Sequence, residues 1–251
     1  MSLTTLPPAR PQPDRSGEAN RSASPLPRTV TADRLADVPH LAALVDRLGG
    51  IPLERIHLHP WPGTATEADV VDWNEQAMSV PCELIDGTLV EKAPMAMVES
   101  RFATILLAEL VAYERSRKTI VCYDASAMNR MAGGNVRMPD LSIYLRSRLA
   151  EVYPDGKITR HPKVSDLVPD LFVEVLSESN TAAEIDRKQA EFFEMGSREL
   201  WVVEPVRRTV EVRRPGADTQ TLNKGDVLNS EELLPGFELS VSAWFAEAEE
   251  L

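Results

Sequence analysis

LFVEVLSESNTAAEIDRKQAEFF, residues 171–193, places a carboxylate in the middle of an apolar strand. Leu171, Phe172, Val173, Val175 and Leu176 read as a short, largely buried strand, and Glu174 sits among them. Desolvating a carboxylate there costs on the order of several kcal/mol unless something compensates it. Downstream, Thr181-x-x-Glu184 has the capping-box pattern that starts a helix, and the apolar spacing carries that helix to near Gly196. The helix buries a stripe through Ile185, Gln189, Phe192 and Phe193. Lys188 stands on the edge of that stripe, able to reach back toward the strand before its own helix.

A second carboxylate is placed comparably. Asp140 follows Pro139 and opens a predicted strand over 140–145, within MPDLSIYL. Carboxylates from adjacent strands can share a hard divalent cation, and Mg²⁺ takes such oxygen ligands at about 2.0–2.1 Å. A cation there would neutralise Glu174, and a neighbouring lysine could orient the attacking water and stabilise charge building on a phosphate.

Working outward, CELIDGTLVEK reads as a hairpin with a two-residue turn at Asp86-Gly87. Glu83 in that hairpin has two readings, an approach to the site and a turn-flanking surface role, and the second carries more weight. Residues 99–115 carry Phe102, Ile105, Leu106, Leu110 and Tyr113 on one helical face, and 119–124 form a strand. Gly133-Gly134-Asn135 marks a loop, and a long loop containing Pro154, Asp155-Gly156 and Pro162 leads to the strand at 171–176. Strands follow over 199–204 and 209–213, then short strands near 221–228 and 236–240, then a last helix near 241–249. From Glu99 to Glu204 the order is α-β-β-β-α-β.

The N-terminal part is different. Residues 1–30 are rich in Pro, Ser and Arg and predict a disordered tail. Residues 31–80 predict a helical extension: apolar spacing from Thr31 to Leu48 stops at Gly49-Gly50, and a short helix is expected over 66–76. Residues 81–251 would then be the main domain. Two cysteines make neither a disulfide framework nor a thiolate zinc site. No apolar run of membrane-spanning length and no leader-like apolar stretch occur, so a cytoplasmic protein is expected.

Charge argues against a general polyanion binder, since the chain carries a formal −12. Local charge argues the other way. Arg130, Arg137, Arg146, Arg148, Lys157, Arg160 and Lys163 face three acidic residues in that interval, and Arg207, Arg208, Arg213 and Arg214 form a second cluster. Phosphate-contacting patches and a mixed solvated surface are equally weighted readings.

ELIDGTLVEKAP, RMPDLSIY, PDLFVEVLSESNTAAEIDRKQAEFFEMGSRELWVVEP and LLPGFELSVSAWF resemble, in order and spacing, the Uma family of restriction endonucleases within the PD-(D/E)XK nuclease superfamily. The resemblance covers about residues 80–245. It implies an α/β, restriction endonuclease-like core, α-β-β-β-α-β, behind the N-terminal extension. It also implies an endonuclease hydrolysing DNA phosphodiester bonds with Mg²⁺, or Mn²⁺ as substitute, and allows a homodimer. Asp140 and Glu174 would hold the metal together with the backbone carbonyl of Val175. The superfamily lysine is expected two positions after Glu174, where Leu176 stands, so its role passes to Lys188. Glu99 takes the place near the start of the first core helix. Two alternatives stay open: a nuclease-fold nucleic-acid-binding or regulatory protein with little cleavage, and cleavage of RNA.

Overall fold

The computed structural model describes residues 40–76, 79–155 and 163–250. The expected tail over 1–30, and the helical pattern from Thr31 through 39, lie outside the described residues. The described chain opens with α1 (Leu41–Arg47), ended by Gly49 and Gly50 at φ of 89° and 73°, where an L side chain would be strained. Helix α2 (Glu67–Asn74) starts at a complete capping box. The Thr66 hydroxyl accepts from the Asp69 N–H, and the Asp69 carboxylate accepts from the Thr66 N–H.

Strands β1 (Cys82–Ile85) and β2 (Thr88–Glu91) form the predicted hairpin, turning through Asp86 and Gly87 at φ of 48° and 71°. Next come α3 (Met97–Arg117), β3 (Ile120–Tyr123), β4 (Met128–Arg130), β5 (Val136–Arg137) and β6 (Leu141–Leu145). They are followed by α4 (Arg146–Val152), β7 (Val164–Ser165), β8 (Leu171–Val175), α5 (Ala182–Glu194) and β9 (Glu199–Glu204). The chain closes with β10 (Thr209–Arg213), β11 (Gln220–Leu222), β12 (Val227–Ser230), β13 (Leu234–Ser240) and α6 (Val241–Glu249).

The larger sheet has the order β11-β10-β9-β8-β6-β3, with β8 and β9 parallel. The predicted α-β-β-β-α-β order is therefore α3-β3-β6-β8-α5-β9. A smaller sheet, β2-β1-β5-β4-β7, takes its short strands from segments between the core strands. One expectation is corrected here. The long loop after residue 145 contains α4 and β7, and the Gly133-Gly134 loop joins two strands, β4 and β5. These strands are two or three residues long and include Asn129, Arg130 and Arg137, so they show none of the apolar alternation that announces a strand.

Side-chain alternation sorts the larger sheet into two faces. Leu141 and Ile143 of β6 and Leu171, Val173 and Val175 of β8 pack with α3 and α6 residues such as Phe102, Leu106 and Trp244. Phe172 turns the other way, against Ile185 and Phe192 of α5. Asp140, Ser142, Tyr144 and Glu174 share this second face by the same alternation and by the register Leu141–Val173. Among the described residues, no helix is long and apolar enough to cross a membrane.

The N-terminal segment is tied to the core in two ways. Leu44, Leu48, Ile51 and Ile56 cluster with Ile85 and Val90 of the hairpin. Arg55, the last residue of a short 3₁₀ turn (Leu53–Arg55), makes a two-pronged pair with Glu184 at 3.1 and 2.6 Å. That pair also changes the expected cap of α5. Thr181 accepts from the Glu184 N–H, but the Glu184 carboxylate goes to Arg55 rather than closing the box.

Both Arg55 and Glu184 side chains are about 4% exposed, so removing one leaves a buried charge alone. Arg55→Ala should lower unfolding stability by about 3–5 kcal/mol in urea titration, whereas Arg55→Met with Glu184→Leu should lose much less. Equal losses in the two proteins would show that the charge pairing is not what matters.

Candidate active site

The site is assembled where the second face of the larger sheet meets the smaller sheet and α5. Strand β8 carries Glu174 into a recess at 4% exposure, and Asp140 enters beside it at the start of β6. The Asp140 N–H donates to the Val173 carbonyl at 3.1 Å, and Asp140 Oδ2 accepts from the Val175 N–H at 2.8 Å. Backbone pairing thus fixes the Asp140 carboxylate against the very strand that bears Glu174.

Helix α5 supplies the cation. Lys188, predicted at the edge of the apolar stripe, is buried at 4% exposure, and its Nζ lies 3.0 Å from Glu174 Oε1. The same ammonium lies 3.1 Å from Glu83 Oε1, across on the smaller sheet. Glu83 is a correction to the sequence reading. It is not a surface residue but is 3% exposed, accepting from Arg137 at 3.0 Å and from the Met138 N–H at 2.8 Å. Its signal was present in β1: Glu83 alternates with Cys82 and Leu84 and shares a face with Ile85, all of them buried. Lys92, just past β2, is the other residue that sequence reasoning missed, and it donates to Asp140 Oδ1 at 2.9 Å.

Asp140, Glu174, Val175 and Lys188 therefore line one recess, joined by Glu83 and Lys92. Glu99 does not line it. It sits in the first turn of α3, 8% exposed, with Oε2 lacking a hydrogen-bond partner. Gln189 turns elsewhere and accepts from Arg213 at 2.9 Å.

Four carboxylates and two lysines line the recess, with Glu184 and Glu83 also held by Arg55 and Arg137, and titration follows from burial and from how these cations are shared. Burial raises the Glu174 carboxyl, Lys188 draws it down and Asp140 raises it again, which together leave it at about 7. Burial also acts on Glu83, but Lys188, Arg137, Lys92 and the Met138 N–H outweigh it and hold that carboxyl at about 2. Burial disfavours the Lys188 ammonium, yet Glu174 and then Glu83 more than offset it, and the group stays protonated. These directions are compatible. Glu83 is the firmly ionised partner of Lys188, and the cost of burial is expressed at Glu174.

The oxygen donors suit a hard divalent cation, and such an ion would favour the ionised form of the buried Glu174. The free space is only about 10 Å³, room for one water-sized occupant. Among the described residues, no three His, Cys, Asp or Glu side chains are gathered as a ready-made metal cage. Each expected carboxylate ligand is instead held by a lysine, so a cation would enter by displacing Lys92 from Asp140.

The basic clusters seen in the sequence are largely neutralised. Arg130 pairs with Glu67 and Asp166, Arg137 with Glu83 and Glu191, Arg146 with Glu114, Arg148 with Asp170, and Lys163 with Glu75. Arg208, Arg213 and Arg214 pair with Glu249, Asp186 and Glu199. Lys157 and Arg160 lie outside the described residues. These pairings favour the mixed, salt-bridged surface over the phosphate-binding patch.

A family model, Uma2, described as "Putative restriction endonuclease", matches residues 68–242. A crystal structure from Anabaena variabilis, described as a "putative nuclease belonging to DUF820", superposes with a TM-score of 0.58 at 18% identity, covering 67% of this chain and 92% of that one. At that identity the likeness concerns the fold, which is α/β and restriction endonuclease-like. No curated protein matches the chain.

The state of Glu174 has a consequence for stability. Between its ordinary value of 4.5 and about 7 the folded protein binds this proton more tightly than the unfolded chain, so this group's contribution falls as pH rises through that window. Without divalent cation, Glu174→Gln should gain melting temperature over the parent by several degrees as pH moves from about 5 to about 8. A gap between the two proteins that does not change with pH would contradict the assignment.

Proposed function

From the premise that the chain belongs to the Uma2 restriction-endonuclease family, we propose that it is a Mg²⁺-dependent endonuclease hydrolysing DNA phosphodiester bonds. The observation that carries this reading is the buried Lys188 ammonium held against Glu174 beside Asp140. Asp140 and Glu174, with the Val175 carbonyl, are the proposed holders of Mg²⁺, and Mn²⁺ would substitute. The bound ion would supply positive charge to the phosphate oxygens as negative charge builds there.

The chain's own groups would do the rest. Lys188, kept protonated by Glu174 and Glu83, acts as a hydrogen-bond donor that orients the attacking water and stabilises a phosphoryl oxygen. Glu83 is a positioning residue, because it reaches the substrate only through Lys188. Lys92, once released from Asp140, is free to meet a phosphate at the mouth of the recess. Glu99, which does not line the recess, is assigned an assisting role through water. We place the enzyme in the cytoplasm, where Cys82 and Cys122 would stay reduced.

A second reading, a nuclease-fold protein that binds nucleic acid and cuts little, is favoured by one observation. The net charge is −12 and most of the described arginines near the site are already paired, which leaves a weak electrostatic hold on a polyanion.

The deciding assay incubates the protein with supercoiled, linear and single-stranded DNA and with RNA, in Mg²⁺, Mn²⁺ or EDTA. Cleavage of DNA only with metal is the expected result, and salt-sensitive binding without cleavage would favour the second reading. Lys188→Ala should reduce cleavage by at least about 10²-fold while calorimetric Mg²⁺ binding persists, since the lysine is not a ligand. Glu174→Ala should weaken both. Lys188→Arg should restore little, because a planar guanidinium differs in shape and reach. A folded Lys188→Ala protein that cuts as fast as the parent would remove the lysine from the mechanism.

A further inference from the structure

Farther along the same sheet face lies a second recess, of about 220 Å³, lined by aromatic rings. Tyr144 of β6 and Tyr123 of β3 meet edge to face, with centroids 5.6 Å apart and planes at 87°. Their contact follows from register: Tyr123 stands opposite Ser142, so Tyr144 is its diagonal neighbour on one face. The Tyr144 hydroxyl donates to Asn129 at 2.6 Å, which fixes that ring as a wall. Tyr153, at the end of α4, and Leu149 add to the lining. Hydroxyl groups of Ser126 and Ser165 and the Lys163 ammonium complete it.

The position of this recess relative to the acidic site follows from β6 itself. Asp140 and Tyr144 are four residues apart on one strand face, hence about 13 Å at strand rise. That is the scale of one or two nucleotides of an extended strand. A groove lined by Pro81, Asp124, Ser126 and Met138, among others, adjoins the tyrosine recess and shares Ser126 with it. Of the same lining, the Pro81 carbonyl accepts from the Lys92 N–H at 2.8 Å, and the Met138 N–H donates to Glu83 at 2.8 Å. The groove thus reaches residues bonded to the acidic site.

We propose that the tyrosine recess is a subsite for an unpaired nucleobase of the substrate strand, one or two nucleotides from the bond that is cut. The proposal rests on the acidic recess being the cleavage centre, and it adds that the substrate is single-stranded or locally opened there. A base inside a duplex cannot leave its stack to enter a recess without an unpairing cost. Tyrosine faces and edges suit any nucleobase, and the serine hydroxyls, which donate to Asp124 and to the Leu167 carbonyl, keep lone pairs for base-edge donors. The charge pattern points the same way. With Lys163 paired to Glu75, Arg146 to Glu114 and Arg148 to Asp170, grip on the backbone is weakened and stacking supplies part of the hold.

The test measures binding in EDTA, so that it does not depend on cleavage. A short oligodeoxythymidine, the same strand annealed to its complement, the same length with an abasic centre, and free thymidine monophosphate are titrated into the full-length parent protein and into Tyr123→Ala, Tyr153→Ala and Tyr153→Phe. The expected order is single strand tighter than duplex, abasic strand or mononucleotide. Each Tyr→Ala change should weaken single-strand binding about tenfold, and Tyr153→Phe should stay within about twofold because it keeps the ring. The salt dependence of the single-strand affinity should be shallow. Matching melting temperatures confirm that the variants are folded. Should one alanine variant unfold, quenching of a fluorescent purine analogue in the strand by the parent, lost on adding excess unlabelled strand, gives the same reading. Single-strand affinity unchanged in both alanine variants would overturn the proposal, as would equal binding of duplex, abasic strand or mononucleotide. Absence of metal-dependent cleavage would instead count against the acidic recess as an active centre, while these binding results stood.

Discussion

One buried ammonium group ties the candidate site together. Lys188 comes from α5, Glu174 from the larger sheet and Glu83 from the smaller one, and its Nζ lies within 3.1 Å of both carboxylates. Three separate elements must therefore close on a single point, and each is buried when they do. Removing any of the three would leave an uncompensated charge in a place that water does not reach. From Glu83 the network continues through Arg137 to Glu191 and on through Arg187 to Asp86 at the hairpin turn. The hairpin, both sheets and α5 are thereby held in one register around the recess.

That arrangement has the character of a functional site more than a stabilising one. Apolar residues of similar volume would pack there at no desolvation cost, whereas this cluster buries several charges together and raises the Glu174 carboxyl toward neutrality. A divalent cation beside Glu174 would offset that rise. The nearby positive charge is meanwhile committed: Arg137 is 1% exposed and faces two carboxylates. Around the recess, among the described residues, little positive charge is left over for a polyanion.

Much of this was legible in the sequence because it is local. The Asp86-Gly87 turn, the Thr181 cap, the apolar face of α3 and the apolar run around Glu174 are patterns within a few residues. Burial of Glu174 in an apolar strand was enough to ask for a compensating group, and Lys188 lay one short connection away. The small sheet was not legible, since β5 and β7 are two residues long and paired to partners distant in the chain. Lys92 and Glu83 were missed for a related reason. Their partners, Asp140 and Lys188, lie 48 and more positions away, and no periodicity reports such a pair. Glu99 shows the converse: a helix-start carboxylate fits the family pattern, yet its position in the fold is off the recess lining.

The central claim is that Asp140 and Glu174 share a divalent cation beside Lys188. Crystals soaked in Mn²⁺, with anomalous scattering measured at its absorption edge, test it directly. The account predicts a peak within coordination distance of both carboxylates, with Lys92 moved away from Asp140 and Lys188 still against Glu83. A fully soaked crystal with no peak in the recess, and with Lys92 still bonded to Asp140, would contradict it.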